Sequence, residues 1–551
     1  KPRPVGLAHA GVALLLAAMV GVVTAQAIVP FLLAWETMAV GAYFLIVFES
    51  ERNDTRRAGF VYLVLTHAGT LALIAMFLAW SAHRPDLTFA GLASGPALPA
   101  GGAIVLVLAL LGFGVKAGIA PLHFWLPGAH AAAPSHVSAL LSGVMLKMGI
   151  YGLLRVIVLI GAIPAWWGWL LLSLGLASGV LGVLWALGQH DVKRVLAYSS
   201  VENVGIIVMG LGLGVLGQVY RDPRVTILAF TAVLLHTLNH ALFKTLLFLG
   251  AGALVRATHT RLIDRLGGVS RRMPLTALAF GIGTVAIIGL PPLNGFVGEW
   301  VALQALLATG RQGGVLPPAV FAAAGLALIA GLALACFVRV GGAVFLGRPR
   351  SAAATRAQAD DWTLLLPMFP LALSCLVIGL IPRLVVNPAS ALAAALTGIE
   401  SARAREAILP LEVGLIGVSG LGALLLGVAA ALWLARTLRR RSTPPLSQPT
   451  WGCAYAAASE RMQYTASSFG APLLATFGAS PRRVQTASTF STDPEDQVLA
   501  GVMLPFWNRI RRAAGALRPL QQGRVTQYLQ YIVLTVIVLL VILFLSVARA
   551  R

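Results

Sequence analysis

Charged residues are scarce in this sequence, and so are cysteines. Only 11% of the 551 residues are charged, whereas a soluble protein has roughly 25%. The three cysteines, Cys336, Cys375 and Cys453, form no CxxC pair and no zinc or iron–sulfur spacing. No Gly-rich nucleotide loop follows a strand pattern, and no HExxH motif occurs. We therefore expect no metal site, no bound cofactor and no nucleotide hydrolysis in this chain, so that any redox chemistry would take place on other chains.

Hydrophobic residues, by contrast, make up 58% of the chain. They form runs long enough to span a bilayer, which takes about 20 residues per helix. The sequence thus predicts an all-α polytopic membrane protein. We recognise about thirteen spanning segments, at residues 5–26, 29–49, 58–80, 101–122, 136–161, 165–188, 192–217, 225–255, 273–309, 316–346, 362–384, 409–435 and 527–548. Several exceed the bilayer thickness and must tilt, kink or break.

The net charge of +22 is distributed in a way that argues against nucleic acid as a partner. Arginines lie in the loops between apolar segments, and the loops after even-numbered segments carry most of them. Because positively charged loops stay in the cytoplasm, the even-numbered segments are expected to end there. The predicted location is the cytoplasmic (inner) membrane of a bacterium or archaeon. The chain starts at Lys1, close before its first span, so we expect further helices ahead of it in the native protein.

Two similar short stretches, 171 residues apart, indicate a repeated structure. Residues 118–125 (GIAPLHFW) resemble residues 289–296 (GLPPLNGF), and both interrupt an apolar segment with proline, which breaks a helix. Paired broken helices in two halves of a membrane protein indicate an ion-transport path. Lys116 lies just before the first predicted break and Glu299 just after the second.

The predicted organisation has three parts. Residues 1–437 form a transmembrane core with two pseudo-repeats, about 5–188 and 192–346, followed by accessory helices. Residues 438–526 are polar and rich in Ser, Thr, Pro and Arg, which predicts a linker on the cytoplasmic side. Within it, residues 504–520 are typical either of an interfacial amphipathic helix or of a solvated linker helix. Residues 527–551 are predicted to form the last membrane helix.

Lysine is rare among the basic residues. Of 41 basic residues only five are lysines, and four lie in or beside apolar segments, namely Lys116, Lys147, Lys193 and Lys244. An arginine stays charged in essentially any site, whereas a buried lysine can release its proton. The distribution reflects either proton-carrying groups or the arginine preference of a GC-rich genome. Lys193 adjoins Asp191 and Arg194 at a segment start and is interpreted as a surface anchor.

His236, His240 and Lys244 are spaced at i, i+4 and i+8 and would stack along one helix face over about 12 Å. Histidine titrates near neutral pH and can pass a proton between its two nitrogens. The pattern predicts a proton relay that feeds the lysine. The alternative is that the histidines hydrogen-bond neighbouring helices as structural contacts.

Two acidic residues also lie inside apolar segments. Glu36, in the middle of the second segment, needs a cationic partner, and a membrane lysine is the natural candidate. Separating such a pair would let the lysine release its proton. Glu202 is interpreted either as a side branch of the relay or as a structural acid.

Four stretches carry a resemblance to a known family, at residues 115–155, 191–207, 239–254 and 289–300. They resemble the antiporter-like, proton-translocating subunits shared by respiratory complex I, Mrp cation/proton antiporters and membrane-bound hydrogenases. The resemblance covers about residues 5–435. Residues 450–469 (TWGCAYAAASERMQYTASSF) further resemble the hydrogenase-4 and formate hydrogenlyase branch of that family.

The resemblance implies two inverted five-helix repeats, each with a broken helix, around a central axis of charged residues. It implies that Glu36 pairs with Lys116, that Lys147 bridges the middle of the axis, that Lys244 is the lysine of the second repeat, and that Glu299 ends the exit path. Some family members have lysine at this last position. Three histidines would be relay elements, His123, His236 and His240.

The predicted function is that of a proton-translocating membrane subunit of a redox-driven complex, either an energy-converting hydrogenase or a complex I-like machine. Its partners would be other membrane subunits, a peripheral redox arm and the lipid bilayer, and its ions would be protons or Na⁺. The embedded residues serve a stand-alone or Mrp-type cation/proton antiporter subunit equally well. A non-pumping membrane anchor and a partner of an inorganic-carbon uptake system are further alternatives.

Overall fold

The computed structural model describes residues 5–82, 86–94, 98, 102–310, 317–442, 463–477, 482–485, 490–493, 505, 508–509 and 512. The chain divides into two compact units, Lys1–Pro494 and Glu495–Arg551, and everything below concerns the first. Its helices in the described ranges are α1 (Val5–Thr24), α2 (Ile28–Ile46), α3 (Asn53–Ser81), α4 (Phe89–Ser94), α5 (Ala103–Ala117), α6 (Trp125–Ala132), α7 (Ser135–Leu140), α8 (Leu146–Leu159), α9 (Ala165–Gly188), α10 (Val192–Val219), α11 (Pro223–Thr258), α12 (Pro274–Ile287), α13 (Asn294–Thr309), α14 (Phe321–Phe345), α15 (Ala352–Thr355), α16 (Trp362–Leu365), α17 (Met368–Leu380), α18 (Arg383–Thr397), α19 (Ser401–Ser442) and α20 (Ala466–Thr476).

The predicted helical membrane fold is confirmed. Ten helical stretches of the described residues are long and apolar enough to cross a membrane, and α5 and α12 are shorter apolar helices. The first twelve predicted segments each coincide with one helix or two consecutive ones. The thirteenth lies outside the described residues, as does most of 504–520, so the total of thirteen stays a prediction. A short antiparallel ribbon of β1 (Arg482–Gln485) and β2 (Phe490–Asp493) is the exception to the helical pattern.

Both predicted helix breaks are present. The first separates α5 from α6 and the second separates α12 from α13. Gly118 and Gly289 stand at the start of the two breaks with φ of 78° and 71°, a left-handed conformation that glycine adopts without the strain of a side chain. The two glycines therefore let each helix stop inside the membrane region and the chain turn before it resumes.

The central helix of the unit is α10. Its membrane-spanning stretch is 100% buried, as expected of a helix that is apolar all round. Small residues let α9 approach it closely, since a Cβ added to Gly205 would lie only 2.4 Å from the backbone nitrogen of Gly179. With α11 on another side, α10 holds its few polar side chains deep inside the protein.

The described part of the predicted linker packs against the core. The helix α20 starts with a capping box between Thr465 and Ser468. Asp264, in the loop after α11, accepts hydrogen bonds of 2.7 Å from the backbone N–H of Ala466 and 2.7 Å from the hydroxyl of Ser467. His190 lies 3.3 Å from the same carboxylate. These contacts attach the start of α20 to the loop ends of the membrane core.

Candidate functional site

The three lysines predicted to form the axis are buried in the helix bundle. The exposed fractions of Lys116, Lys147 and Lys244 are 2%, 6% and 0%. A charged side chain at this depth costs at least about 2.5 kcal/mol, so each needs specific partners. The structure gives the three lysines very different surroundings.

The hydrogen-bond contacts of Lys147 and Lys244 meet at a pair of serines, Ser142 and Ser200. Lys147 Nζ donates to the carbonyl oxygen of Ser142 at 2.5 Å, and Ser142 lies in a π-helical turn between α7 and α8. The Ser142 hydroxyl is 2.8 Å from the Ser200 hydroxyl on α10. Ser200 donates to the carbonyl oxygen of Leu196 at 2.9 Å, and Lys244 Nζ donates to that same oxygen at 2.8 Å.

A second serine of α10 completes the site of Lys244. Lys244 Nζ donates to the hydroxyl of Ser199 at 2.5 Å and lies 6.0 Å from the ring centre of Phe337. Ser199 and Ser200 were not among the residues singled out from the sequence. The sequence signal was a pair of adjacent serines two residues before Glu202, within one of the stretches that resemble the family.

The two histidines of α11 lie beside these lysines. His236 and His240 are 1% and 0% exposed, and Nε2 of His236 lies 3.1 Å from Oδ1 of Asn203 on α10. His240 interacts electrostatically with Lys147, Lys244 and His236, and neither of its ring nitrogens has a hydrogen-bond partner among the described residues. The alternative of a structural contact therefore suits His236 better than His240.

Two glutamates extend the array of charged groups beyond Lys244. Glu202, on α10, is 1% exposed and interacts electrostatically with Lys244 and with Glu299. Glu299, on α13, lies against the second helix break, because a Cβ added to Gly289 would be 2.4 Å from its Oε2. The acid predicted to end the path thus contacts the glycine that shapes the break.

Lys116 lies among aromatic rings. Its Nζ is 5.4 Å from the ring centre of Trp35 and 5.6 Å from that of Tyr62, which is cation–π distance. The ammonium has no hydrogen-bond partner among the described residues. The ammonium is therefore surrounded by aromatic faces and not by hydrogen-bond acceptors among the described residues.

The pair expected between Glu36 and Lys116 is not a direct salt bridge in this structure. Oε2 of Glu36 lies 3.6 Å from Nε2 of His67 on α3, and Glu36 reaches Lys116 only through a longer electrostatic interaction. His67 was not predicted from the sequence. The sequence feature that could have indicated it is a histidine in the middle of an apolar segment (LVLTHAGTLAL).

His123 lies in the first helix break and is 0% exposed. Its ring stacks on Trp185 of α9 with centres 4.6 Å apart, and the ring of Tyr198 on α10 is 6.2 Å away. The backbone N–H of Ala120 donates to the hydroxyl of Ser178 at 2.8 Å, which ties the break to α9. A role of His123 as a relay stays a prediction.

Lys193 is not on the surface, in contrast to its interpretation from sequence. It is 3% exposed, and its ammonium donates to the carbonyl oxygen of Ala133 at the end of α6. His130, also on α6 and 0% exposed, interacts electrostatically with Lys193, Lys147 and Lys244. His130, which was not singled out from the sequence, is therefore within electrostatic range of Lys193 and of the two lysines of the axis.

An open cavity of about 950 Å³ lies beside Lys193. Its charged and titratable lining residues are Glu49, Arg52, Asp54, His136, Asp191, Lys193, Arg194, Arg256, His259 and Arg261. These residues lie at or near the loops that follow the second, fourth, sixth and eighth predicted segments, which are the ends expected in the cytoplasm. In the part of the chain that the structure describes, no group of three or more His, Cys, Asp or Glu is arranged to hold a metal ion.

The fold and these buried ionisable groups define a multi-pass membrane protein with a charged interior and two broken helices. The chain belongs to the family described as NADH:quinone oxidoreductase/Mrp antiporter, transmembrane, which matches residues 25–323. It is 36% identical over 539 residues to hydrogenase-4 component B of Escherichia coli K12, covering 93% of this chain and 79% of that protein. It is 39% identical over 372 residues to formate hydrogenlyase subunit 3 of the same strain, covering 66% of this chain and 59% of that protein.

Solved structures show the same fold. The chain aligns with a chain of the membrane-bound sulfane sulfur reductase, an archaeal respiratory membrane complex, with a TM-score of 0.71 at 22% identity, covering 96% of this chain and 83% of that one. It aligns with the Mrp complex from Dietzia sp. DQ12-45-1b with a TM-score of 0.63 at 22% identity, covering 72% and 79%. The predicted family resemblance is confirmed.

Proposed function

We propose that this chain is the proton-translocating membrane subunit of a redox-driven complex in the cytoplasmic membrane of a bacterium or archaeon. Two relatives are named as a component of hydrogenase-4 and a subunit of formate hydrogenlyase, which supports other membrane subunits and a peripheral redox arm as partners. The electron transfer would take place on those partners, and this chain would move the protons.

The placement of Lys147 and Lys244, whose hydrogen-bond contacts meet at the Ser142–Ser200 pair, is the observation that carries the proposal. The Lys147 ammonium bonds to a carbonyl oxygen, and the Lys244 ammonium bonds to a carbonyl and a hydroxyl oxygen. Neither ammonium lies at salt-bridge distance from a carboxylate among the described residues. The two lysines also interact electrostatically. Because a nearby like charge disfavours the charged form, a proton on one lysine makes a proton on the other less favourable. Protonation of one of these two lysines therefore promotes proton release from the other.

The proposed path places the predicted residues in sequence. A change in the charge around Glu36 alters Lys116, and the perturbation passes through Lys147 to Lys244 and on to Glu299. Three histidines would serve as relays on this path, His123, His236 and His240. The cavity beside Lys193 would connect the axis to water on the cytoplasmic side.

Substitution of Lys244 tests the proposal. Lys244→Met removes the proton carrier, and Lys244→Arg keeps a cation that does not release its proton. We expect both variants to assemble with their partners and to lose proton uptake in proteoliposomes of the purified complex. Assembly is checked by co-purification, which also identifies the partners and hence the electron donor to add. Normal uptake by both variants would instead favour a non-pumping membrane anchor.

A second candidate function is cation/proton antiport. The chain is 33% identical over 376 residues to a protein of Rhizobium meliloti named as a probable K⁺/H⁺ antiporter component, covering 67% of this chain and 36% of that protein. In that case an imposed K⁺ or Na⁺ gradient would drive proton movement in proteoliposomes without an electron donor. Proton movement that requires the donor excludes this alternative.

A further inference from the structure

The second helix break is attached to α11 on its inner side. The side-chain amide of Asn239 on α11 donates to the carbonyl oxygen of Asn294 at 2.7 Å, and both residues are 0% exposed. A Cβ added to Gly298, in the second turn of α13, would lie 2.9 Å from Nδ1 of His236. These contacts join the break to the helix that carries two of the predicted relay histidines.

The outer side of the break meets α17. A Cβ added to Gly379, near the end of α17, would overlap the carbonyl oxygen of Pro292, so a residue without a side chain is needed at this approach. The last four carbonyl oxygens of a helix have no partner within it, and that of Gly379 is one of them because α17 ends at Leu380. A buried carbonyl oxygen of this kind needs a donor from another element.

Ser419 of α19 supplies that donor. Its hydroxyl donates to the carbonyl oxygen of Gly379 at 2.9 Å, and the residue is 8% exposed. Three positions further along the same face of α19, a Cβ added to Gly422 would lie 2.6 Å from Cβ of Pro292. Carbon atoms pack at about 3.5–4.0 Å, so a larger residue at Gly422 must displace either α19 or the break. The helix α19 therefore contacts the break through these two small residues.

The burial of α19 ends at this contact. One stripe of the helix is buried, at Ala404, Ala407, Ile408, Leu411, Leu415, Ser419 and Gly422, whereas residues 423–436 are all exposed in the described structure. In a membrane, apolar contact between helices gains little over contact with lipid tails, so close packing at small residues and interhelical hydrogen bonds hold helices together. The hydroxyl of Ser419 and the close approach of Gly422 provide both at the level of the break.

We propose that Ser419 and Gly422 are positioning residues that hold the second break, and with it Glu299, in the geometry that proton transfer requires. They act through Gly379 and Pro292. Displacement of the break would disturb both its contacts with α11 and the glutamate that lies against its first glycine. This inference rests on the proposed function, in which Glu299 ends the proton path.

Proton uptake by a Gly422 variant tests the proposal. We expect Gly422→Ala to reduce uptake in proteoliposomes of the assembled complex at least about tenfold. The added carbon must be accommodated by a shift of about 1 Å, and a misplacement of this size can cost about a hundredfold in rate. Gly427→Ala on the same helix is the matched control, since a Cβ there meets nothing within 4 Å among the described residues. Equal uptake by the two variants overturns the proposal.

Ser419 offers a milder variant that removes one hydroxyl and adds no atom. We expect Ser419→Ala to reduce uptake roughly two- to twelvefold. Ser419→Thr keeps a hydroxyl and should restore most of the rate. The control is Thr437→Ala, because that hydroxyl bonds the carbonyl oxygen of Leu434 in its own helix. Uptake by Ser419→Ala equal to that of Thr437→Ala contradicts the proposal.

A spin label on Leu290→Cys reports on the break without any transport. Leu290 lies in the break and is 40% exposed, Cys336 and Cys375 are buried, and Cys453→Ser removes the remaining thiol. The mobility of the label should change in Gly422→Ala and in Ser419→Ala but not in Gly427→Ala.

A second label, on Phe44→Cys of α2, shows whether the response is local. Phe44 is 62% exposed, and its label should respond to none of these variants. An unresponsive Leu290 label, or equal responses of both labels, overturns the proposal.

The label and the transport assay let the two hypotheses fail separately. A response of the Leu290 label together with normal uptake by Lys244→Met would retain the contact of α19 with the break and reject the proposed function. An unresponsive label together with lost uptake in Lys244→Met would do the reverse. A responsive label in Gly422→Ala with undiminished uptake would reject the positioning role.

Discussion

The hydroxyl oxygens of Ser142 and Ser200 lie 2.8 Å apart and join two lysines that are far apart in sequence. The backbone carbonyl oxygen of Ser142 accepts a hydrogen bond from Lys147. The hydroxyl of Ser200 and the ammonium of Lys244 both donate to the carbonyl oxygen of Leu196. The hydroxyl contact therefore links the residue that binds Lys147 to the residue that shares an acceptor with Lys244.

Removal of the Ser200 hydroxyl should slow proton transport. A buried hydrogen bond contributes about 0.5–1.5 kcal/mol, so we expect Ser200→Ala to reduce the transport rate roughly two- to twelvefold. Ser200→Thr keeps the hydroxyl and should retain most of the rate. The control is Ser374→Ala, because that hydroxyl bonds only the carbonyl of Pro370 in its own helix. Equal rates for Ser200→Ala and Ser374→Ala in proteoliposomes would contradict the prediction.

A side chain at the second helix break should displace Glu299. Gly289 has φ of 71°, and an added Cβ would lie 2.4 Å from Oε2 of Glu299. We expect Gly289→Ala to give an assembled complex with strongly reduced proton uptake. Gly281→Ala on the preceding helix is the matched control, since a Cβ there meets nothing within 4 Å. Loss of uptake in both variants would show that the effect is not specific to Glu299.

Arg339 should stabilise the end of α9. Its guanidinium donates to the carbonyl oxygens of Ala186, Leu187 and Gln189, and each unpaired carbonyl would cost about 1–3 kcal/mol. We expect Arg339→Met to lower the Tm of the purified chain by at least about 3 °C, measured by differential scanning fluorimetry. Arg405→Met, at an exposed arginine, should leave the Tm unchanged. A Tm of Arg339→Met equal to that of Arg405→Met would exclude this capping role.

The docking of α20 should be lost in acid. Burial raises the pKa of Asp264, but hydrogen bonds from His190, Ser467 and the N–H of Ala466 outweigh it and lower the pKa to about 2 from a usual value of 3.8. A carboxyl with a lowered pKa stabilises the docked state above its usual pKa, and this contribution disappears as the pH falls toward 2.

A spin label on Thr476→Cys, in a chain with Cys453→Ser, measures this release. The label should become mobile between about pH 4 and pH 2 in the otherwise unchanged chain, and already at neutral pH in Asp264→Asn. A label that remains immobile in Asp264→Asn would show that other contacts hold α20.

Much of the fold follows from local properties of the chain. Hydropathy predicts the membrane helices because a 20-residue apolar run has few other stable states in a bilayer. Glycine and proline at 118–121 and 289–292 predict the two breaks because their effect on the backbone is local. The scarcity of lysine marks Lys116, Lys147, Lys193 and Lys244 as unusual, because this signal depends only on composition and position.

The sequence by itself determined which residues are ionisable at membrane depth and where the helices break. Only the tertiary structure decided which of these residues meet, namely that Glu36 contacts His67, that a serine pair joins Lys147 to Lys244, and that Lys193 is buried. The physical reason is that burial and hydrogen bonding between helices depend on how each helix is rotated and tilted against its neighbours. Residues 31 or 58 positions apart, as in the pairs His67–Glu36 and Ser142–Ser200, carry no local pattern that encodes this rotation.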